Sequence, residues 1–318
     1  MSKILYIVIP CYNEEAVLEE TTNRLNDKLN DLIKKKLVSK KSKILYVNDG
    51  SNDRTWDIVK KYHDQNNFVT GISLSRNRGH QNALLAGLLT AEKKADIVIS
   101  MDADMQDDIN VMDEMIYKYY DGNDIVYGVR SNRKKDNLFK KNTALLFYKL
   151  LLFLGIDIIY NHADYRLTSK KVLKSLKDYK EVNLFLRGLF PQIGYKSDKV
   201  YYERSPRIAG KSKYSLSKMI KLAWDGVTSF SIKPIKLILS LGIIIFFLSV
   251  ITIIYSIIRK LTGHTVSGWT FIVCSIWFVA GLQMLSLGVI GEYIGKIYSE
   301  VKRRPRYIID EDLESKTN

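Results

Sequence analysis

Two stretches near the C-terminus constrain this chain more than any other feature. Leu237–Ile258 runs 22 residues without a charge and is rich in Ile, Leu and Phe. After Arg259 and Lys260, a second uncharged stretch, Leu261–Gly291, contains the apolar run Trp269–Ile290, again 22 residues. As helices, at about 1.5 Å per residue, each spans a hydrocarbon core of about 30 Å. Buried helices of a soluble protein share that composition. Two back to back, closing an otherwise strongly charged chain, instead predict a membrane hairpin. Lys233 and Lys236 precede the first stretch, and Lys296, Lys302, Arg303, Arg304 and Arg306 follow the second. The connecting loop carries only Arg259 and Lys260. The positive-inside rule then predicts a two-span protein of the cell membrane, with both termini and the whole N-terminal region cytoplasmic.

The charge balance, 49 Lys and Arg against 34 Asp and Glu, is +15. That excess gathers beside the membrane segments, so anionic head groups account for it. No nucleic-acid module is visible, and no nucleic-acid partner is expected. With 46% apolar residues the chain is too hydrophobic to be disordered. Its mean hydropathy of −0.11 averages over the shift near Pro234. The run Ile4–Ile9 stops at Pro10, shorter than the apolar region of a signal peptide, so none is expected. Cys11 and Cys274 are too few and too far apart for a disulfide framework or a Cys-based zinc site. Met219, Ile220, Ala223, Trp224, Val227 and Phe230 recur at helical spacing beside Lys213, Lys218 and Lys221. That pattern predicts an interfacial helix just before the hairpin. Leu138–Tyr160, bordered by Lys140, Lys141 and Lys149, reads equally as an interfacial or a core helix.

Residues 1 to about 130 alternate short apolar runs with helical patterns. Strands are predicted at Ile4–Ile9, Lys43–Val47, Phe68–Leu74, Asp96–Ser100 and Asp124–Val129, with helices at Glu14–Leu32, Thr55–Tyr62, His80–Ala91 and Val111–Tyr120. The alternation predicts an α/β sheet of parallel strands with its ligand site at the strand C-terminal ends. Polar motifs fall at those ends: Pro10-Cys11-Tyr12-Asn13-Glu14-Glu15, Asn48-Asp49-Gly50-Ser51, Ser75-Arg76-Asn77-Arg78-Gly79 and Asp102-Ala103-Asp104. Asp102 and Asp104 can point two carboxylates at one hard cation, Mg²⁺ or Mn²⁺, and Gln106 can add a carbonyl oxygen. Asp-x-Asp alone is a weak signal, equally a solvated turn. Asp49-Gly50-Ser51 followed by Asp53 reads as a turn and helix cap. Arg76, Arg78 and His80 stand near a helix start, where a phosphate is also favoured.

Tyr12-Asn13-Glu14-Glu15, Asn48-Asp49-Gly50-Ser51-x-Asp53-x-Thr55, Ser75-Arg76-Asn77-x-Gly79 and Met101-Asp102-Ala103-Asp104-x-Gln106-Asp107 occur in one order. Together they resemble the family 2 glycosyltransferases of the GT-A fold, a nucleotide-sugar-binding, Rossmann-like α/β domain. Ala163-Asp164-Tyr165-Arg166-Leu167, Phe185-Leu186-Arg187-Gly188, Arg207-x-x-Gly210-Lys211-Ser212-Lys213-Tyr214 and Phe230-Ser231-x-Lys233-Pro234 narrow the resemblance. They look like the polyprenyl-phosphate glycosyltransferases, relatives of dolichol-phosphate mannose synthase, and most like bactoprenol glucosyltransferases with two C-terminal spans. The likeness extends through Arg304-Pro305-Arg306-Tyr307, and only the acidic end after Asp310 reads as uninformative.

The resemblance implies a cytoplasmic GT-A domain over residues 1–211, a juxtamembrane amphipathic helix over 212–233 and two spans within 234–292, at about 235–258 and 268–291. A basic then acidic tail follows over 293–318. It implies that Pro10, Tyr12, Glu14, Asp49 and Asp102 bind the nucleotide, and that Asp102, Asp104 and Gln106 hold the metal. Asp164 and Asp104 are the implied catalytic residues, with Asp164 facing sugar and acceptor; the structural alternative for Asp164 is a salt bridge with Arg166 or another local Arg. Arg130, Arg207 and Lys211 would approach phosphate oxygens of donor or acceptor. The chain departs from the family where Asn48 replaces a usual Asp, Ala163 a common Gly and Lys211 a frequent Glu. The implied reaction is inverting transfer of one sugar from a nucleotide sugar to polyprenyl phosphate, supplying a lipid-linked donor for envelope glycosylation. UDP-glucose is favoured as donor and UDP-N-acetylglucosamine comes next; undecaprenyl phosphate is the expected acceptor.

Two other classes compete. A processive polysaccharide synthase shares such a pocket but generally carries a Gln-x-x-Arg-Trp motif. None of Trp56, Trp224, Trp269 or Trp277 follows an Arg here. A non-catalytic membrane scaffold would be indicated by loss of Asp102 or Asp104, and both are present. With no Asp, Glu, Lys or Arg inside Leu237–Ile258, the spans offer no polar path, so a separate flippase and a downstream glycosyltransferase are expected partners. Gly281, Gly288, Gly291 and Gly295 make a homo-oligomer plausible through close helix packing.

Overall fold

The computed structural model describes residues 2–131, 162–182, 184–205, 228, 233–262 and 268–315. They fall into two compact units. The first comprises the described residues up to Ser205 together with those from Arg304 on, and the second the residues between.

The first unit is built on strands whose apolar runs are buried on both faces, as central strands of a covered sheet must be. They are β1 (Leu5–Cys11), β2 (Lys43–Asn48), β3 (Val69–Leu74) and β4 (Ile97–Ser100). β1 pairs in parallel with β2 and β4, and β2 with β3. Helices α1 (Glu15–Lys34), α2 (Thr55–Gln65), α3 (His80–Glu92) and α4 (Met112–Tyr120) lie where the apolar periodicity predicts them. β5 (Ile125–Arg130) likewise matches its predicted run.

Beyond these, the sheet departs from the all-parallel expectation. β6 (His162–Ser169) runs antiparallel to both β4 and β5, and β7 (Ser197–Tyr202) lies parallel to β5. β8 (Ile309–Asp312) adds antiparallel to β3, giving the eight-stranded order β7-β5-β6-β4-β1-β2-β3-β8. β6 does not read as a core strand because its alternate positions are His162, Asp164, Arg166 and Thr168. All of them are nevertheless buried. The acidic end read as an uninformative tail is corrected as well, since it supplies the last strand of the sheet.

Two hydrophobic layers flank the sheet. α1, α2 and α4 pack with Leu5, Ile7 and Ile9 on one face. On the other face α3, α5 (Lys170–Leu176) and α6 (Leu186–Ile193) pack with Tyr6, Val8 and Val47. Gly87 allows α3 to lie directly on the sheet, because a Cβ there would come within 2.4 Å of Val8 and 2.6 Å of Val47.

The second unit contains α7 (Lys233–Leu261) and α8 (Trp269–Val301), both long and apolar enough to cross a membrane. Leu239, Phe247, Ile251, Phe278 and Met284 are all more than half exposed, the opposite of core-helix side chains. The helices run beyond the apolar stretches read from sequence, α8 by ten residues past Gly291. The segment Leu138–Tyr160, most of the juxtamembrane stretch 212–233, Arg207 and Lys211 lie outside the described residues.

Candidate active site

Strand register brings the polar motifs to one edge. Val8 of β1 pairs with Ser100 of β4, and Cys11 of β1 with Asn48 of β2, which in turn pairs with Ser73 of β3. All four strands therefore end together. β6 enters at the same edge from the opposite direction, with Arg166 opposite Ser100, so Asp164 comes level with Asp102 just past β4. Arg130 and Tyr202, paired at the ends of β5 and β7, complete the rim.

The first two motif loops are tied to each other. The Asn13 amide donates to Ser51 Oγ at 3.0 Å, and Asn13 Oδ1 accepts from the Asn52 amide at 2.9 Å. The Glu14 amide donates to Thr55 Oγ1 at 2.9 Å. Asp53 accepts from the Thr55 amide at 3.0 Å and the Glu15 amide at 3.2 Å, so the predicted turn residue joins two loops. Asn48 uses both ends of its amide: Oδ1 accepts from Ser51 N and Nδ2 donates to Ser73 Oγ. A carboxylate could not donate, which gives the departure at this position a structural role.

Asp49, expected to meet the nucleotide, is buried and accepts from the amides of Arg78 at 2.7 Å and Gly79 at 2.9 Å. Burial raises its pKa against the opposing effect of those amides. Gly50, at φ +65°, is held so close to the third loop that a Cβ would lie 2.6 Å from Asn77 N. Arg78 Nε, just ahead of α3, is buried and has no hydrogen-bond partner among the described residues. Pro10 sits buried in β1, whereas Tyr12 is 36% exposed at the pocket rim.

The metal motif turns sharply. Met105 adopts φ +53° and the Gln106 amide donates to Asp104 Oδ1 at 3.3 Å. Such strain in a non-glycine residue persists only where its surroundings impose it. Burial raises the pKa of Asp102, His80 opposes the shift, and the negative charges of Asp107, Asp164 and Asp104 add to it. Among the described residues no group of three or more His, Cys, Asp and Glu side chains forms a complete metal site. Two carboxylates in a locally negative setting fit a hard cation that completes its shell with phosphate oxygens.

Asp164 is the most heavily engaged carboxylate of the site. Oδ1 accepts from Arg166 Nη2 at 2.7 Å and Arg187 Nε at 3.2 Å. Oδ2 accepts from Arg187 Nη2 at 2.9 Å and lies 3.3 Å from His80 Nε2. Burial works to raise its pKa, but Arg187, His80 and Arg166 hold it well below the usual carboxylate range. His80 also stands 3.7 Å from Asp102 Oδ1, bridging the two carboxylates. Burial lowers its pKa, yet Asp164 and Asp102 together raise it.

Two of the expected site residues have protein partners here. Gln106, read as an oxygen ligand, accepts from Arg204 Nη2 through Oε1, and its Nε2 donates to Ser205 O at 3.4 Å. A buried amide oxygen within reach of a guanidinium takes that charge-assisted bond. Arg130, expected at a phosphate, pairs with buried Asp107 at 3.3 Å, and Asp107 also accepts from Tyr202 OH at 2.5 Å. The Asp164–Arg166 ion pair is the local alternative read from sequence. Sequence reasoning missed the roles of Asp107 and Arg187, although each lies inside a motif, because their partners come from distant segments.

Residues 6–177 match Glycosyl transferase family 2, and residues 233–297 match the GtrB C-terminal hairpin. The uncharacterized glycosyltransferase YkoT of Bacillus subtilis (strain 168) is 54% identical over 310 residues, covering 98% of this chain and 92% of that protein. The SfII prophage-derived bactoprenol glucosyl transferase of Shigella flexneri is 37% identical over 308 residues, covering 95% and 96%. Among solved structures, glucosyl-3-phosphoglycerate synthase from Mycobacterium tuberculosis superposes with a TM-score of 0.46 at 16% identity, covering 71% of this chain and 78% of that one. That likeness is too loose to bear on function. The sheet with its strand-end motifs and the hairpin that follows each have their counterpart in sequence, and the chain belongs to glycosyltransferase family 2.

Proposed function

We propose that this glycosyltransferase moves one sugar from a nucleotide sugar onto a polyprenyl phosphate at the cytoplasmic face of the membrane. UDP-glucose is the favoured donor, UDP-N-acetylglucosamine the next, and undecaprenyl phosphate the acceptor. The observation that carries this reading is full-length similarity, hairpin included, to proteins named bactoprenol glucosyl transferases. A soluble donor and a membrane-bound acceptor require a water-facing pocket joined to a membrane platform, and the chain has both parts.

In the proposed reaction an acceptor phosphate oxygen attacks the anomeric carbon. The bond from that carbon to the nucleotide diphosphate breaks on the opposite face, inverting the centre. A phosphate monoester is largely dianionic near neutral pH, so no strong base is needed. That agrees with Asp164, whose oxygens are occupied by Arg166, Arg187 and His80. Its role is to position Arg187 and His80 at the donor. Asp102 and Asp104 would hold a divalent cation, which supplies charge neutralisation to the leaving diphosphate.

The sheet supports the topology. The chain leaves it after β7 and rejoins it at β8, which supports a hairpin whose two ends lie on one side of the membrane. A separate flippase and a downstream transferase would use the product.

Detergent-purified protein incubated with undecaprenyl phosphate, Mg²⁺ or Mn²⁺ and individual nucleotide sugars tests the reading by mass spectrometry. One donor should give a singly glycosylated lipid phosphate, lost on EDTA treatment. Asp104→Ala should reduce turnover by about 100-fold or more, the scale of losing a main electrostatic contribution. Polymer would favour a processive synthase. Failure of folded protein to turn over any donor would favour a scaffold.

A further inference from the structure

The segment that follows the hairpin is docked with more specific contacts than an edge cover requires. β8 pairs Asp312 with Ile72, Glu311 with Ser73 and Ile309 with Leu74, leaving Asp310 as the extra residue of a bulge. The Ser75 amide donates to Ile308 O, and the Leu313 amide to Gly71 O, both at 3.0 Å. Trp56 Nε1 donates to Glu311 Oε2 at 2.5 Å. Leu313 is buried in the core. Glu314, only 13% exposed, accepts from Lys43 at 2.7 Å and Tyr6 OH at 3.3 Å, and pairs with Lys94. Those three partners come from β2, β1 and the end of α3. Arg306 donates to the carbonyls of Tyr179 at 3.0 Å and Glu181 at 3.4 Å, just ahead of α6, which carries Arg187.

The consequence lies at Ser75. That residue begins the Ser75–Gly79 loop, whose Arg76–Asn77 backbone packs on Gly50 and whose Arg78 and Gly79 amides bind Asp49. A free edge strand frays and leaves its amides unpaired. Without β8, the β3 edge and the loop it leads into would lose their outer partner.

We propose that Arg306–Ser315 is a positioning strand for the donor pocket, with Glu314 its clamp: docked on β3, it holds the Ser75–Gly79 loop against Asp49 and Gly50. The role assigned to the pocket rests on the donor-binding reading above; the docking itself does not. The catalytic unit is thus completed by residues that follow the membrane helices in the chain.

The test uses the full chain in detergent and two variants: Glu314→Gln, and a chain ending at Arg304 to which a peptide of residues 305–318 is returned. Hydrogen–deuterium exchange should quicken at least threefold across 75–79 in both variants, with 97–100 unchanged. The peptide should restore protection. UDP with Mn²⁺ should bind about 3- to 10-fold more weakly to Glu314→Gln. Unchanged exchange across 75–79, with 305–315 alone freed, would overturn the proposal. Faster exchange with unaltered UDP affinity would overturn its donor-pocket part. Should wild-type protein bind no UDP, the donor reading fails, and exchange at 75–79 still decides the docking.

Discussion

Asp164 shows how much a single carboxylate can organise. Arg166 is fully buried, and with Arg187 it surrounds one acidic group on β6. Neutralising that group strands a buried guanidinium. Asp164→Asn is therefore expected to cost about 3–5 kcal/mol of stability, the usual penalty for breaking a buried ion pair from one side. Urea denaturation monitored by far-UV circular dichroism checks this, and a variant as stable as wild type would show that the arginines do not depend on the Asp164 charge. At this scale the motifs point to Asp49, Asp102, Asp104 and Asp164, and chain proximity to the pairing of Asp164 with Arg166. His80 and Arg187 are not legible as partners, because they reach Asp164 across 84 and 23 positions of chain respectively.

At the scale of elements, β8 makes stability depend on pH in a defined direction. Burial works to raise the Glu314 pKa, but Lys43 and Lys94 hold it below its ordinary value. A depressed carboxylate stabilises the fold above its unfolded pKa of about 4.3, and the contribution is lost as pH falls through the lower folded value. Glu314→Gln should thus be less stable than wild type at pH 7 by about 1 kcal/mol, discounted because both lysines are partly exposed. The difference should shrink at a pH below about 4, as Glu314 takes up its proton. Parallel denaturation at the two pH values measures it; an equal gap at both would assign the loss to shape rather than charge. β1 to β4 were legible because strands buried on both faces are written as unbroken apolar runs. β6 and β8 were not: one carries charges into the core, and the other is polar and held by an edge.

For the whole molecule, the sequence pattern and the sheet bear on topology through different physics. Basic residues flank the outer ends of α7 and α8, and the chain re-enters one sheet after them. With Cys274 replaced by Ser, Thr262→Cys should react with an impermeant maleimide in intact cells, and Ser2→Cys only after lysis. Labelling of both in intact cells would place the N-terminus outside. The buried thiol of Cys11 should stay silent in either case.

Apolar periodicity, the motif order and the charge distribution alone determined the α/β class, the family resemblance and two C-terminal helices long and apolar enough to cross a membrane, and they point to the acidic residues proposed for the pocket. Each is a local signal, readable within one element or one loop. The tertiary structure decided what depends on distant pairing: the antiparallel insertion of β6, the reach of His80 and Arg187 to Asp164, the protein partners of Gln106 and Arg130, and the return of the chain as β8. A polar residue's partner is set by which strands lie side by side, and the residue's own neighbours in the chain do not record that.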